Sequence, residues 1–246
     1  MLKESSSEGL SEGPINNASA ILYTPDKKLS DYLAKLEIEI DKRNKRLPDA
    51  LSNSGIGKLM EQIAFLCFKG LIGYSEIKSF QSAGPQYDLI VTGDSVEWAF
   101  LCELLLINGC KDILIEVKAE KNPIKDQQFA RLCSLLGHNL SSSGGLGVFF
   151  SLKGASGFPD RNSPTRQRSL SDARLRQAIF MASCKKPIIV FDIDDIYQLT
   201  KNGSLFIMLR NKIRDVEQLS GLAVGAPIEN LKQCDLPKHL LELTVH

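Results

Sequence analysis

Three residues of this chain, Asp88 with Glu116 and Lys118, have types and surroundings that suit a reaction. Glu116 and Lys118 alternate with Val117 in the otherwise apolar run DILIEVKAE, so on a strand both point to one face. A core strand does not carry a carboxylate and an ammonium without cause, because burying either is expensive unless they pair or meet a metal. Asp88, at the end of the short apolar strand QYDLIVTG, offers a second carboxylate. Two carboxylates a few ångström apart make a hard-oxygen site for Mg²⁺, which keeps several waters and takes substrate phosphate oxygens as further ligands. A metal there polarises a phosphodiester and acidifies a bound water, while Lys118 can orient or deprotonate that water and stabilise the charge at phosphorus. The chemistry is phosphodiester hydrolysis; the competing reading of the same residues is a structural Glu–Lys pair.

The acid-x-Lys tripeptide alone decides little, since Asp26-Lys27-Lys28 and Glu76-Ile77-Lys78 also have it. Asp26 falls in a polar tail and Glu76 precedes the strand acid instead of following it, so context selects Glu116. Three other segments fail as sites. GIGK at 55–58 lacks the GxxxxGK[ST] pattern of a phosphate-cradling loop, with Ser52 and Leu59 at the deciding positions. IIVFDIDDI resembles the start of a haloacid-dehalogenase-type phosphatase, but too little chain follows Asp195 to complete that sheet, so Asp194 or Asp195 reads as a helix cap. His138, His239 and His246 show no zinc-ligand spacing.

The elements that must position the acids follow from periodicity. Residues 1–27 read as a flexible tail rich in Ser, Gly, Glu and Asn, and 28–48 as a helical arm with apolar positions Tyr32, Leu33, Leu36, Ile38 and Ile40. Residues 49–246 form the main domain. GIGKLMEQIAFLCFKG is its first core helix, and YSEIKSF and QYDLIVTG are adjacent strands. A helix capped at Asp94 or Ser95 runs to Ile107, DILIEVKAE is a buried strand, and Pro123 starts a helix with Phe129, Leu132, Cys133 and Leu136 inward. LGVFFSL is a further strand. A helix over 170–184 follows, with Leu175, Ile179 and Ala182 on one face, then the strand KPIIVFD and a helix from DDIYQLT. Helices and strands interleave with no repeat, so the class is α/β with a mixed sheet.

In this order the chain resembles the PD-(D/E)xK nuclease superfamily, with its restriction-endonuclease-like fold of a mixed β-sheet flanked by helices. GIGKLMEQIAFLCF supplies an acid on the first helix, PQYDLIV the strand Asp, ILIEVKAE the (Asp/Glu)-x-Lys, and NPIKDQQFARLCSLL the following helix. The segments GVFFSLKGASG, RQRSLSDARLRQAIF and PIIVFD are similar to the back half of bacterial restriction-type nucleases, including the Mrr-like group active in defence against foreign DNA. The resemblance spans about residues 50–215. It implies a catalytic set of Glu61, Asp88, Glu116, Lys118 and Gln128, with Gln127 a rival for the last. It also implies metal ligation by Asp88, Glu116 and the Val117 carbonyl, and Mg²⁺ as cofactor with Mn²⁺ able to substitute. Two departures stand: Tyr87 occupies the position of the motif's Pro, and Asp88 and Glu116 are 28 residues apart. That spacing makes the helix 95–107 an insertion over or beside the site, either a gate or partner surface carrying Trp98, Phe100, Leu101, Leu104 and Leu105 or, as the favoured reading, a helix that buries this face against the sheet.

Charge locates the substrate. The whole chain is nearly neutral, with 30 Lys+Arg against 29 Asp+Glu, which by itself gives no sign of nucleic acid. Between Arg161 and Lys186, however, basic residues dominate, and Arg166, Arg168 and Arg174 are the expected contacts to a phosphate backbone. A second basic run, Lys42 to Arg46, lies in the arm. The N-terminus lacks an apolar signal stretch, the six cysteines form no CxxC pair, and no span suits a membrane, so a cytoplasmic protein is expected. The function implied is a metal-dependent DNA endonuclease, the nuclease subunit of a bacterial restriction or antiphage system. It would work with a partner protein of a defence complex or as a homo-oligomer. A noncatalytic nuclease-like assembly subunit, or an RNase or junction resolvase with the same site, are the alternatives.

Overall fold

The computed structural model describes residues 14–80, 87–107, 111–156 and 172–219. At its centre is β3 (Asp112–Lys118), whose residues from Ile113 to Val117 are all buried, as the apolar run requires. β2 (Tyr87–Thr92) pairs with one edge antiparallel and β1 (Glu76–Phe80) continues beyond it, also antiparallel. β4 (Gly144–Ser151) lies parallel on the other edge of β3 and β5 (Ile188–Phe191) parallel to β4, giving a five-stranded mixed sheet in the order β1-β2-β3-β4-β5. Both β3 and β4 are covered on both faces, which is why their sequences are continuous hydrophobic runs instead of alternating ones.

The helices divide between the faces. On one side lie α2 (Leu29–Asn44), α3 (Asn53–Lys69), α4 (Val96–Leu104) and α8 (Ser204–Leu219), whose apolar side chains join Leu89, Val91, Ile113, Ile115 and Val117 in the larger core. On the other lie α5 (Asp126–Ser134) with the π-helical turn Leu135–Asn139, and α6 (Asp172–Cys184), over Ile90, Leu114, Phe149, Ile188 and Val190. The order α3-β1-β2-α4-β3-α5-β4 therefore builds three antiparallel strands, with α4 inserted between the second and third, and then crosses over through α5 to a parallel strand. Gly147 on β4 lets α5 come close: a β-carbon there would stand 2.9 Å from Leu136 and 3.0 Å from Leu132. Ser95, one of the two expected caps of α4, accepts from Trp98 N–H, whereas α3 starts earlier than expected and is capped by Ser52, which accepts from Gly55 N–H.

Several expectations are revised. The N-terminal tail is ordered from Pro14: α1 spans Pro14–Leu22 and Tyr23 is fully buried. Tyr23 donates its hydroxyl to the Leu199 carbonyl at 2.7 Å, and its own carbonyl accepts from Gly203 N–H. Composition hid this, because one aromatic anchor outweighs a polar neighbourhood. Residues 1–13 lie outside the described chain. The helical arm is not separate, since Leu29, Leu33 and Leu36 belong to the same core as α3. Helix α8 fills a stretch for which no element was expected. The helix after β3 begins at Asp126, not at Pro123, because Ile124 first bridges Ala155. In the IDDIY helix, α7 (Ile193–Tyr197), the N-cap is Asp192, and Asp195 stands at N3, where its carboxylate accepts from Asp192 N–H and pairs with Lys212 at 2.7 Å.

The face of α6 is also the reverse of the expected one. Leu175 and Ile179 are exposed, while Arg174, Gln177, Phe180 and Met181 turn inward; Phe180 and Met181 join the cores and Gln177 Nε2 donates to the Ile188 carbonyl. Among the described residues no helix is long and apolar enough to cross a membrane.

Candidate functional site

The site forms where β2 begins and β3 ends. Register pairs Leu89 with Ile115 and Ile90 with Leu114, and one step further sets Asp88 opposite Glu116. The strands part here, and the Asp88 carboxylate takes the place of a ladder acceptor, with Oδ2 2.6 Å from Val117 N–H. Because the N–H and C=O of a strand residue face the same edge, the Val117 carbonyl also lies towards β2. Strand alternation puts Asp88 with Ile90, and Glu116 and Lys118 with Leu114, on the face covered by α5 and α6. All three residues of the central hypothesis thus share one face and one end of the sheet.

Glu116 is the most confined of them, 3% exposed. Its Oε2 accepts from Lys118 Nζ at 3.0 Å, while its Oε1 is buried with no hydrogen-bond donor. Arg131, reaching over from α5, brings Nη2 to 3.7 Å from that Oε1, a charge contact too long for a hydrogen bond. Loss of hydration pushes the Glu116 carboxyl above the usual range; Lys118 and Arg131 pull against this and Asp88 adds to it. Glu61 stands on the exposed flank of α3, and partial desolvation and then the charge of Asp88 raise its carboxyl, with Lys58 opposing. The first-helix acid therefore feels the charge of the strand acid.

The residues present suit a hard divalent cation in one respect above all: a carboxylate oxygen at the bottom of the site, Oε1 of Glu116, is buried and has no donor. Asp88, held through Oδ2 by Val117 N–H, and the Val117 carbonyl on the β2 edge would supply further oxygen. Among the described residues no three His, Cys, Asp or Glu side chains gather closely enough to hold an ion by themselves, so Asp88 and Glu116 would share it with that carbonyl, waters and substrate.

Other expected site residues have other occupations. The Gln128 Oε1 accepts from Lys125 N–H at 3.0 Å, so this side chain caps α5 instead of facing the acids, and Gln127 is exposed. Arg174 is 6% exposed, which leaves little of it for a nucleic-acid backbone, and Arg166 and Arg168 lie outside the described residues. Arg176 grips Asp126 through both oxygens, at 2.5 and 2.7 Å, and Lys186 binds the carbonyls of Leu136 and Ser141. Much of the described part of the basic segment is therefore spent on holding α6 to α5. In the arm, Lys42 pairs with Glu39 and Asp49, and Lys45 with Asp41.

α4 is not beside the site. It joins the far ends of β2 and β3 and packs on the opposite face, with Trp98 and Leu101, and Leu105 just after it, fully buried, so it can neither gate the acids nor line their pocket. The residue that sequence reasoning missed is Arg131. Its signal was only a polar position in a strongly amphipathic helix, and its reach to Glu116 depends on how close α5 settles on Gly147. Comparison with family models, with curated proteins and with solved structures finds no match to this chain.

Proposed function

We propose that this protein is a divalent-metal-dependent phosphodiesterase acting on DNA, an endonuclease of the PD-(D/E)xK type with a restriction-endonuclease-like fold. One observation carries the reading. Asp88 and Glu116 meet where two strands part, beside Lys118, and one Glu116 oxygen is buried without a donor. The sequence of α3, β2, β3 and α5 around that point is further support, since the resemblance implies a helix with an acid, a strand with Asp, a strand with the acid-x-Lys and then a helix.

In this reading Asp88 and Glu116, with the Val117 carbonyl, hold Mg²⁺ or Mn²⁺. The ion, when bound, polarises the phosphodiester and lowers the pKa of water. Lys118 orients the attacking water and offsets the negative charge that grows on the phosphate oxygens. Glu61, on the rim, accepts hydrogen bonds from water entering the site. The buried floor under α5 keeps Glu116 fixed, so little reorganisation is needed when substrate arrives. A role as nuclease subunit of a bacterial restriction or antiphage system, with DNA and a partner protein or a second copy as its associates, follows from the same resemblance.

A second reading rests on the ion contacts themselves. Lys118 and Arg131 bracket Glu116 already, and a cluster neutralised in this way serves a noncatalytic nuclease-like subunit equally well. Purified protein incubated with plasmid, single-stranded DNA and RNA in Mg²⁺ or Mn²⁺, beside Glu116→Ala and Lys118→Ala, separates the two. Metal-dependent cleavage lost in both variants supports the enzyme, with the preferred polymer distinguishing DNase from RNase. Equal behaviour of wild type and variants on every substrate supports the noncatalytic subunit.

A further inference from the structure

The cations expected to meet a phosphate backbone are largely engaged: Arg176 on Asp126, Lys186 on two carbonyls, with Arg174 inside. Two lysines outside that segment, Lys58 and Lys153, are exposed at the end of the sheet that carries the acids, and among the described residues neither enters an ion pair. Hydrogen bonds fix where both stand. Arg43 on α2 donates to the Ala119 carbonyl, one residue beyond β3, and to Asn53 Oδ1, so the first turn of α3 is pinned beside the outgoing end of β3. Lys58 follows on that helix, where Ser54, Gly57, Lys58 and Glu61 share one stripe at spacings of three and four. Glu61 feels the charges of both Asp88 and Lys58, so this stripe flanks the acids.

On the β4 side, Leu152 N–H donates to the Lys118 carbonyl at 3.1 Å, which sets Lys153 one residue from a backbone bond to the site lysine. The turn that presents Lys153 is braced. Ser151 Oγ accepts from Lys153 N–H at 3.2 Å and donates to the Gly154 carbonyl at 3.0 Å, and Ile124 N–H reaches the same carbonyl. Glu120 and Lys121, exposed on the loop after β3, cancel in charge. Gly57 adds a different mark. A β-carbon there would meet nothing within 4 Å, so no packing demands glycine, which weakens a helix interior relative to alanine. Its bare backbone leaves room for a chain to pass close to α3 beside Lys58.

Resting on the proposed function of this site, we propose that a nucleic-acid strand crosses the sheet end from α3 to the turn after β4, with Lys58 and Lys153 holding backbone phosphates on either side of the acids. The ligand class is a polynucleotide that extends beyond the reacting phosphodiester in both directions. Contacts of this kind position the backbone and carry no base preference.

Fluorescence anisotropy of a labelled duplex in Ca²⁺, over a series of salt concentrations, tests the path. Wild type is compared with Lys58→Gln, Lys153→Gln, the double variant and Lys111→Gln, which removes the same charge at the opposite end of β3. Each site variant should bind about fivefold more weakly at low salt and reduce the slope of log K against log[salt] by about 1, and the double variant by about 2, with Lys111→Gln unchanged. In Mg²⁺, KM for cleavage should rise in the site variants while kcat stays within about threefold of wild type. Gly57→Gln should melt no lower than wild type yet bind more weakly; wild-type binding by it would overturn the close approach on α3. Unchanged affinity and slope in Lys58→Gln and Lys153→Gln, or an equal loss in Lys111→Gln, would overturn the proposal, and with Glu116→Gln inactive the phosphodiesterase reading then stands alone. If wild type shows these losses in binding but cleaves nothing, the path stands and the phosphodiesterase reading fails. If wild type binds no nucleic acid, both fall.

Discussion

Replacing Lys118 with methionine removes one partner from a nearly dry ion pair and keeps the volume of the stem. Lys118 Nζ is 3.0 Å from Glu116 Oε2, with the two side chains 19% and 4% exposed. At an effective dielectric near 20, two unit charges at that distance attract by about 5 kcal/mol, and breaking a buried pair costs roughly 3–5 kcal/mol because it strands the other charge. Arg131 remains near Oε1, so the lower end applies, about 3 kcal/mol. With a urea m-value of about 2 kcal/mol/M the midpoint should fall by about 1.5 M at unchanged slope. The double variant Lys118→Met, Glu116→Gln should recover most of that loss, since no buried charge is left and Arg131, 48% exposed, stays hydrated. Burial raises the Glu116 carboxyl, so the folded state takes up its proton at a higher pH than the unfolded chain does. The deficit of the single variant should therefore shrink as pH falls towards the carboxylate range and Glu116 takes up its proton. A midpoint shift below about 0.3 M, or a double variant no more stable than the single one, would refute the buried-pair geometry.

Tyr23→Ala removes a fully buried ring and its hydroxyl bond to Leu199, and should cost about 4 kcal/mol in equilibrium unfolding; a loss under about 0.5 kcal/mol would mean that the segment after α1 is not docked. Asp26 is held below the usual carboxylate range by Lys28 N–H and then by Lys69, a contribution present above the unfolded pKa and lost as pH falls through the folded one. Asp26→Asn should therefore lower Tm at neutral pH and match wild type in acid. Among the four described cysteines, burial pushes Cys102 to about 11 and Cys133 to about 12, and raises Cys67 as well, whereas Cys184 is exposed. Iodoacetamide followed by mass mapping should label Cys184 first, with the other three at least about tenfold slower.

What was legible in the sequence was the sheet and the meeting of the acids upon it. β2 to β5 sit on the apolar runs that announced them, and alternation alone put Glu116 and Lys118 on one face. The misses have a common physical origin, in that each turns on which neighbour a helix finds. α4 reads as an apolar helix wherever it lies, and only the connectivity of β2 and β3 sends it to the end away from Asp88. Arg174 sits in a basic stretch, but the phase of α6 turns it inward with Gln177. Gln128 is three residues from Lys125 and caps it, a local bond that outcompetes any reach to the acids. α1 was hidden because a polar composition argues against order only when no buried side chain such as Tyr23 compensates.

The central claim is that Asp88, Glu116 and Lys118 support metal-dependent phosphodiester hydrolysis, and single-turnover cleavage of a labelled duplex tests it most directly. Wild type and Glu116→Gln, which keeps the shape but removes the charge and one oxygen ligand, are compared in Mg²⁺ and in excess chelator. The account predicts cleavage by wild type in Mg²⁺, none in chelator, and a rate at least about 10³-fold lower for Glu116→Gln, a loss of about 4 kcal/mol in transition-state stabilisation. Cleavage by Glu116→Gln within tenfold of wild type, or a folded wild type inert towards DNA and RNA alike, would contradict it.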